Sequence, residues 1–257
     1  MIRRLNKYEL KLMRKSGKIA SSALRKSLES IKVGVSELEV DRIAQEEIYR
    51  LGGDLSYKSV AGYKYATCIT VNEKVVHGIP TDRKFEEGDL VSVDLAVSFK
   101  GWHTDCAWSV LVRGKGKGER GKYDEKERFL NTGEKALWDG VSKALDGNRV
   151  GDISNAIQSR VEGARYSIVR ALVGHGVGRS LHEEPEIPGY GEKNKGPILK
   201  VGMSLALEVI YTKGSPDVVL SEDGWTYSAA DKSWGGLFEM TVIVGRESAK
   251  VLTSLED

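Results

Sequence analysis

The chain has little of several residue types that commonly define a class of protein. It has only two cysteines in 257 residues, Cys68 and Cys106, which is too few for a disulfide framework. No stretch is long and apolar enough to span a membrane, and the basic start at Arg3 and Arg4 lacks the apolar segment of a secretion signal. The formal net charge of +2 gives no strong signal for a nucleic-acid partner. We therefore expect a cytoplasmic protein with reduced thiols.

Hydrophobic periodicity predicts a mixture of helices and short strands. Apolar residues recur at helical spacing over residues 8–28, and Ser36 stands as the N-cap of a second helix that ends near Arg50. Proline and glycine residues predict that residues 183–200 form a polar loop. Segments rich in β-branched residues predict strands over residues 67–71, 89–98, 103–112, 166–172, 203–211 and 237–244.

The two halves of the chain resemble each other. Residues 18–34 align without a gap with residues 135–151, and Ser154 is then expected to start a second helix, as Ser36 does in the first half. Two amphipathic helices can resemble each other by chance, and that alternative stays open. Duplication of an α/β half is the other interpretation, and a site between two such halves would draw its ligands from both.

The charged, glycine-rich stretch 114–128 separates these halves. We interpret it as a solvated linker, in preference to a phosphate or RNA contact, because nothing beside it supports such a contact. The sequence thus predicts one domain over residues 1–257, with halves at about 1–113 and 129–257.

The histidines are few and lie in chemically dense surroundings. The four are His77, His103, His175 and His182, and the last two stand seven residues apart in a glycine-rich segment. His103 lies two residues before Asp105, where a contact to a carboxylate and a purely structural role are equally open. Because histidine ligates metals and transfers protons near neutral pH, this distribution predicts a metalloenzyme.

Two carboxylates are expected to meet across a hairpin. Apolar residues at odd positions mark one face of the strand around Asp94, so that side chain points to the other face. If Lys100 and Gly101 form the turn, Asp94 opposes Ala107 and lies diagonal to Asp105 on the same face. Two like charges at that distance repel each other unless a proton or a cation intervenes, which favours a metal site.

Two further carboxylates, Glu208 and Glu239, lie inside apolar strands. Either alone would be interpreted as facing solvent, because ionised glutamate is rarely buried without a partner. Together with Asp94, Asp105 and His175 they form an oxygen-rich set that suits Mn(II), Fe(II), Co(II) or Zn(II). Enough carboxylates are present to bridge two ions, an arrangement that activates water for hydrolysis.

The order and spacing of these groups resemble those of the type I methionine aminopeptidases over essentially the whole chain. Each matching segment is weak alone, whereas their combination is specific. The resemblance implies an α+β pita-bread fold, with two pseudosymmetric α/β halves around a curved antiparallel sheet. The matching segments are His77-Gly78-Ile79-Pro80, Asp94 with Asp105 eleven residues on, Gly174-His175-Gly176-Val177-Gly178-Arg179, His182-Glu183-Glu184-Pro185, Glu208, Asp223-Gly224-Trp225-Thr226 and Glu239.

The resemblance also implies a role for the residues that match. Asp105 and Glu239 would bridge two divalent metal ions, and Glu208 would also take the proton from the bridging water. The ligand set accepts Co, Mn, Fe or Zn, so the identity of the metal stays open. The five implied ligands are Asp94, Asp105, His175, Glu208 and Glu239.

Further matching positions concern the substrate. His77 and His182 would contact the peptide and stabilise the tetrahedral intermediate. Tyr63, Cys68 and Trp225 match positions that line the methionine pocket, and ordinary packing is an equal alternative for these three. The chain keeps every implied ligand and both histidines but departs from the family pattern nearby, which puts substrate preference and metal affinity in question more than the reaction. The departing residues are Val60, Ala96, Leu181, Val209, Ile210 and Met240.

The implied activity is removal of the initiator methionine from newly made proteins. Peptides with an N-terminal methionine are then the partners, with the ribosome nearby, and we expect a monomer with no direct nucleic-acid or membrane contact. One alternative is an aminopeptidase of the same fold that cleaves another residue, such as the one before proline. The other is a non-catalytic binding protein, against which the retention of every ligand argues.

Overall fold

The structure is a computed structural model that describes residues 2–114, 121 and 123–255. Its helices are α1 (Lys7–Ser30), α2 (Glu37–Arg50), α3 (Asp124–Val141) and α4 (Val150–Gly163), with a 3₁₀ turn at Ser56–Ser59. Its strands are β1 (Asp54–Leu55), β2 (Cys68–Val71), β3 (Lys74–Val76), β4 (Leu90–Phe99), β5 (Trp102–Leu111), β6 (Ser167–Ile168), β7 (Gly174–Gly176), β8 (Glu183–Ile187), β9 (Ser204–Thr212), β10 (Val218–Leu220), β11 (Tyr227–Ala229), β12 (Gly235–Ile243) and β13 (Lys250–Val251). Within these ranges, no helix is long and apolar enough to cross a membrane.

The strands form one large antiparallel sheet and one small one. Across the large sheet the order is β1-β4-β5-β12-β9-β7-β8, while β2 pairs with β4, β6 with β9 and β13 with β12. The small sheet has the order β10-β11-β3. The β4–β5 hairpin therefore lies beside the β9–β12 pair, although more than 90 residues separate β5 from β9 along the chain. The predicted α+β class is confirmed.

Helices cover one face of the large sheet. Val93 and Leu95 of β4 pack in a core cluster with residues of α1 and α2. Leu207 and Val209 of β9 pack in a second cluster with residues of α3 and α4. Full burial of one such side chain typically contributes about 1.5–3 kcal/mol to stability. Burial of these residues therefore determines which face of each strand packs against the helices. Because strand side chains alternate, the residues between them point to the opposite face of the sheet.

The first two helices begin where the local sequence supplies partners for free backbone N–H groups. The side chain of Asn6 accepts hydrogen bonds from the amides of Tyr8 and Glu9, at 2.9 and 3.0 Å. Ser36 and Glu39 form the equivalent capping box at the start of α2. The prediction of Ser36 as the N-cap is thereby confirmed.

Two helix boundaries in the second half differ from the prediction. Helix α3 begins at Asp124, inside the predicted linker 114–128. Acidic side chains fill its first turn, where they interact favourably with the positive end of the helix dipole. Residues 115–120 and 122 of that linker lie outside the described residues. Helix α4 begins at Val150, so Ser154 lies inside it and donates a hydrogen bond from Oγ to the Val150 carbonyl at 3.1 Å.

One loop prediction and one strand prediction are also wrong in part. The predicted polar loop 183–200 begins with strand β8, which pairs with β7. Of the predicted strand 166–172, only Ser167–Ile168 pairs with another strand, namely β9. Strand formation at the sheet edge depends on which strand lies alongside, which local composition does not reveal.

The connections between the paired helices have matching contacts. In the first half, the Gly34 amide donates to the Phe85 carbonyl, and the Phe85 amide donates to the Val35 carbonyl. In the second half, the Gly147 amide donates to the Leu199 carbonyl, and the Leu199 amide donates to the Asn148 carbonyl. Gly34 and Gly147 also share a left-handed backbone, with φ of 88° and 89°. These contacts pair Gly34 with Gly147, whereas the gapless sequence alignment pairs Gly34 with Gly151, about one helical turn further on. We keep the division into halves at about 1–113 and 129–257 as a hypothesis that these contacts support.

Candidate active site

Five neighbouring strands each carry one of the predicted ligands. Across the sheet, β4, β5, β12, β9 and β7 carry them in this order. In one row of paired residues, Asp94 opposes Ala107, Ala107 opposes Glu239, and Glu239 opposes Glu208. In the next row on the same face, Asp105 opposes Ala96 and His175 opposes Ala206. The set is Asp94, Asp105, Glu239, Glu208 and His175.

The hairpin predicted around Asp94 has the expected register. Asp94 opposes Ala107 and Asp105 opposes Ala96, so the two carboxylates are diagonal neighbours on one face. Thr241 fixes the backbone of Asp105 to β12: its Oγ1 accepts a hydrogen bond from the Asp105 amide and donates one to its carbonyl, each at 2.9 Å. The two halves of the sheet are thus joined by polar contacts at the site itself.

The carboxylates of this site are strongly desolvated. Burial raises the pKa of Asp94 to about 7. Burial and the nearby charge of Asp94 raise the pKa of Glu208 to about 8. The pKa values of Asp105 and Glu239 are also raised well above their ordinary range, by burial and then by neighbouring carboxylates. A bound cation would compensate for this repulsion, which protons otherwise relieve.

His175 is held with one ring nitrogen free to ligate. Its Nδ1–H donates to the Gly176 carbonyl at 2.9 Å, which leaves the lone pair on Nε2, 3.5 Å from Glu208 Oε1. Burial lowers the pKa of His175 to about 4, so the ring is neutral at physiological pH. Only glycine fits at position 176, because a Cβ there would lie 2.2 Å from the Glu184 carbonyl oxygen.

The donor set fits a divalent cation. Ligand atoms of Asp105, His175 and Glu239 lie within 4.8 Å of one another. Oε1 of Glu239 is buried without a hydrogen-bond partner among the described residues, which is costly unless a cation takes it. Carboxylate oxygens with one imidazole nitrogen suit Mn(II), Fe(II), Co(II) or Zn(II).

Metal binding should weaken as the pH falls through the range in which the ligand carboxylates gain protons. Glu208, with a pKa of about 8, and Asp94, with a pKa of about 7, are protonated below those values and must lose the proton to ligate. Calorimetric titration of metal-free protein with Mn(II), on both sides of this range and in buffers of different ionisation enthalpy, measures affinity and proton release. Affinity independent of pH and no released protons would contradict the assignment.

Two further histidines face a cavity beside the ligands. The cavity has a volume of about 480 Å³ and is lined by His77, His175, His182 and Glu208, among others. The rings of His175 and His182 lie 4.4 Å apart in an edge-to-face arrangement. His77 and His182 are exposed toward the cavity, and desolvation by the surrounding protein lowers the pKa of both. Both can therefore present a neutral imidazole to a ligand.

An apolar cluster lies on the other side of Asp94. Cys68 directly opposes Asp94 in the β2–β4 pair. The rings of Tyr63 and Trp225 meet with centroids 5.1 Å apart. The three predicted pocket residues are therefore brought together within one cluster. The cluster comprises Tyr57, Tyr63, Cys68, Ala96 and Leu181, with Val60, Tyr65, Ile79 and Trp225 packed against it.

Comparison with known proteins supports the resemblance found in the sequence. Residues 11–246 match the model of metallopeptidase family M24. The chain belongs to this family. It is 39% identical to the methionine aminopeptidase of Clostridium perfringens, over 98% of each chain. It is also 36% identical to the crystal structure of methionine aminopeptidase from Thermotoga maritima, with a TM-score of 0.93 over 99% of this chain and 100% of that one.

Prolidase from Pyrococcus furiosus is a more distant member of the same fold. Its structure matches with a TM-score of 0.75 at 23% identity, over 99% of this chain but 66% of that chain. This likeness shows the fold alone. Together with the methionine aminopeptidases, it confirms the predicted pita-bread fold.

The departures from the family pattern fall into three structural groups. Val209 and Met240 lie in the core cluster beneath helices α3 and α4, away from the ligands on the opposite face. Ile210 lines the cavity. The remaining three, Val60, Ala96 and Leu181, lie in the apolar cluster beside Asp94. The changes that can alter substrate selection are therefore those in the cluster and Ile210.

Two residues near the site make contacts that the sequence did not predict. His103 contacts no ligand carboxylate by a hydrogen bond; its Nδ1 bonds the hydroxyl of Ser56 at 2.6 Å. Tyr57 was missed, yet its hydroxyl donates to Asp94 Oδ1 at 2.6 Å. Burial raises the pKa of Tyr57 well above its ordinary value, so the hydroxyl keeps its proton. Tyr57 lies outside every recognisable motif, so no sequence pattern indicates its contact with Asp94.

Proposed function

We propose that this chain is a metal-dependent aminopeptidase that removes methionine from the N-terminus of peptides, including newly made proteins. The observation that carries the proposal is the set of five ligand side chains on one face of five neighbouring strands, between an apolar cluster and two cavity-facing histidines. Full-length relatives named methionine aminopeptidase support the same activity.

We assign two divalent ions to the ligand set, with Asp105 and Glu239 shared between them. Strands β5 and β12, which carry Asp105 and Glu239, lie between the strand of Asp94 and the strand of Glu208, so these two carboxylates occupy the middle of the ligand set. When bound, such ions lower the pKa of water and polarise the carbonyl group that water attacks. Their identity among Co, Mn, Fe and Zn is left open by the donor set.

The remaining chemistry belongs to side chains. Glu208 would accept the proton of the attacking water, because this carboxylate borders the cavity and is deprotonated once it ligates an ion. The imidazoles of His77 and His182 would donate hydrogen bonds to the peptide and to the oxyanion that develops on it. The cluster around Tyr63, Cys68 and Trp225 would bind the methionine side chain.

The enzyme should prefer an N-terminal methionine followed by a small residue such as glycine, alanine or serine. Sulfur makes favourable contacts with aromatic rings, and Tyr63 and Trp225 present such rings beside Cys68. Kinetics on peptides that differ only in the first residue measure this preference as a ratio of kcat/KM. Equal rates for leucine and methionine would indicate a broader aminopeptidase, a result that Val60 and Leu181 could explain by widening the cluster.

A second set of peptides, which differ only in the second residue, separates the proposal from its alternatives. Cleavage restricted to peptides with proline in the second position would favour an Xaa-Pro enzyme. Tight metal binding without hydrolysis of any peptide would favour a binding protein. The cytoplasmic location, the monomeric state and the proximity to ribosomes stay predictions.

A further inference from the structure

Tyr57 connects the apolar cluster to a metal-ligand carboxylate. Its hydroxyl donates to Asp94 Oδ1 at 2.6 Å, while its ring packs edge-to-face on Tyr63 with centroids 5.6 Å apart. The side chain is 8% exposed. Among the described residues, no other hydrogen-bond donor to the Asp94 carboxylate is found. This hydroxyl is therefore the contact that limits rotation of Asp94.

The backbone that carries Tyr57 is fixed from several sides. Ser56 bonds to His103 Nδ1 at 2.6 Å, and Ser59 Oγ donates to the Ser56 carbonyl at 2.8 Å. The Val60 amide donates to the Tyr57 carbonyl at 2.9 Å. A turn with its backbone and side chains bonded in this way holds the Tyr57 hydroxyl at a defined position. This gives His103 a role that the sequence left open, as a support of the turn.

We propose that Tyr57 is a positioning residue that orients Asp94 for metal binding and also forms a wall of the substrate pocket. Its hydroxyl would occupy one lone pair of Oδ1 and leave the remaining lone pairs of the carboxylate available to the ion. The inference rests on the proposed function, because it presumes that Asp94 ligates a metal. Hydrogen bonds to ligating carboxylates commonly change metal affinity or activity by about 10–100-fold when they are removed.

The substitution Tyr57→Phe tests the hydroxyl while keeping the ring. Metal-free Tyr57→Phe protein should bind Co(II) about 10–100-fold more weakly than the unaltered protein. The visible absorption of bound Co(II), which reports ligand geometry, should change as well. KM for a methionyl peptide at saturating metal should stay close to that of the unaltered enzyme, because the ring still forms the pocket wall.

The matched control is Tyr211→Phe. Tyr211 is likewise a buried tyrosine, and its hydroxyl donates to the Phe129 carbonyl at 2.7 Å, in the core beneath the helices. This variant loses a comparable hydrogen bond and should keep its Co(II) affinity and spectrum, even if its melting temperature falls. Tyr57→Leu removes hydroxyl and ring together and should raise KM in addition.

Three outcomes would overturn the inference. The first is a Tyr57→Phe protein with the Co(II) affinity and spectrum of the unaltered protein. The second is an equal loss of Co(II) affinity in Tyr211→Phe, because the effect would then come from general destabilisation. The third is an unaltered protein that binds no Co(II), in which case the proposed function fails as well.

Discussion

Protein stripped of metal by a chelator should hydrolyse no methionyl peptide at a measurable rate, and Mn(II), Co(II) or Fe(II) should restore the activity. Without an ion, the buried carboxylates bind protons, as the raised pKa values of Asp94 and Glu208 indicate. The protonated site has neither a base for water nor a charge to polarise a carbonyl group. Hydrolysis rate and metal content by elemental analysis are measured on the same samples. Full activity in protein shown to be metal-free would refute the metal-dependent mechanism.

Substitution of a shared ligand should have the same consequence as chelation. Asp105→Ala and Glu239→Ala should each reduce the content of both metals, because these carboxylates lie in the middle of the ligand set and would be shared by the two ions. Glu47→Ala is the matched control: Glu47 is also buried, but it bonds Lys26 and Arg50 on the helical side of the molecule. The control should lose stability and keep its metal. Loss of only one ion in both ligand variants would contradict the bridging assignment.

The parts of the site that the sequence could predict depend on local pairing. A hairpin joins strands that are adjacent in sequence, so a plausible turn at Lys100 and Gly101 determines the register. That register places Asp94 and Asp105 on one face, as the structure shows. The capping residue Ser36 was predictable for the same reason, since its partners lie within one helical turn.

The remaining parts depend on contacts between distant segments. Glu208 opposes Glu239 only because β9 pairs with β12, a pairing that no local pattern specifies. The strand that carries His175 is three residues long and consists of that histidine between two glycines, so its propensity predicts a loop. For these residues the chemistry of carboxylates within apolar strands, and then the family resemblance, supplied an expectation that periodicity alone did not. It did not indicate Tyr57, whose contact with Asp94 is visible only in three dimensions.

His182→Ala should lower kcat by about 10²–10³-fold while the metal content stays near that of the unaltered enzyme. His182 lies at the cavity with its ring 4.4 Å from that of His175, so its imidazole can reach a substrate bound beside the ligands. A donor directed at the developing oxyanion stabilises the transition state more than the ground state, which is why the loss should appear in kcat. The corresponding change in activation free energy is roughly 2.7–4 kcal/mol.

The comparison with His175→Ala decides whether this division of roles is correct. His175 is one of the five ligand residues, and its free Nε2 lies 3.5 Å from Glu208 Oε1. Removing its imidazole should therefore reduce both metal content and rate. Metal stoichiometry and kcat are measured on both variants at the same total metal concentration. If His182→Ala lost metal as readily as His175→Ala, His182 would be a ligand. If it kept full kcat with its metal, the imidazole would contribute only to structure, and oxyanion stabilisation would have to come from His77 and the ions.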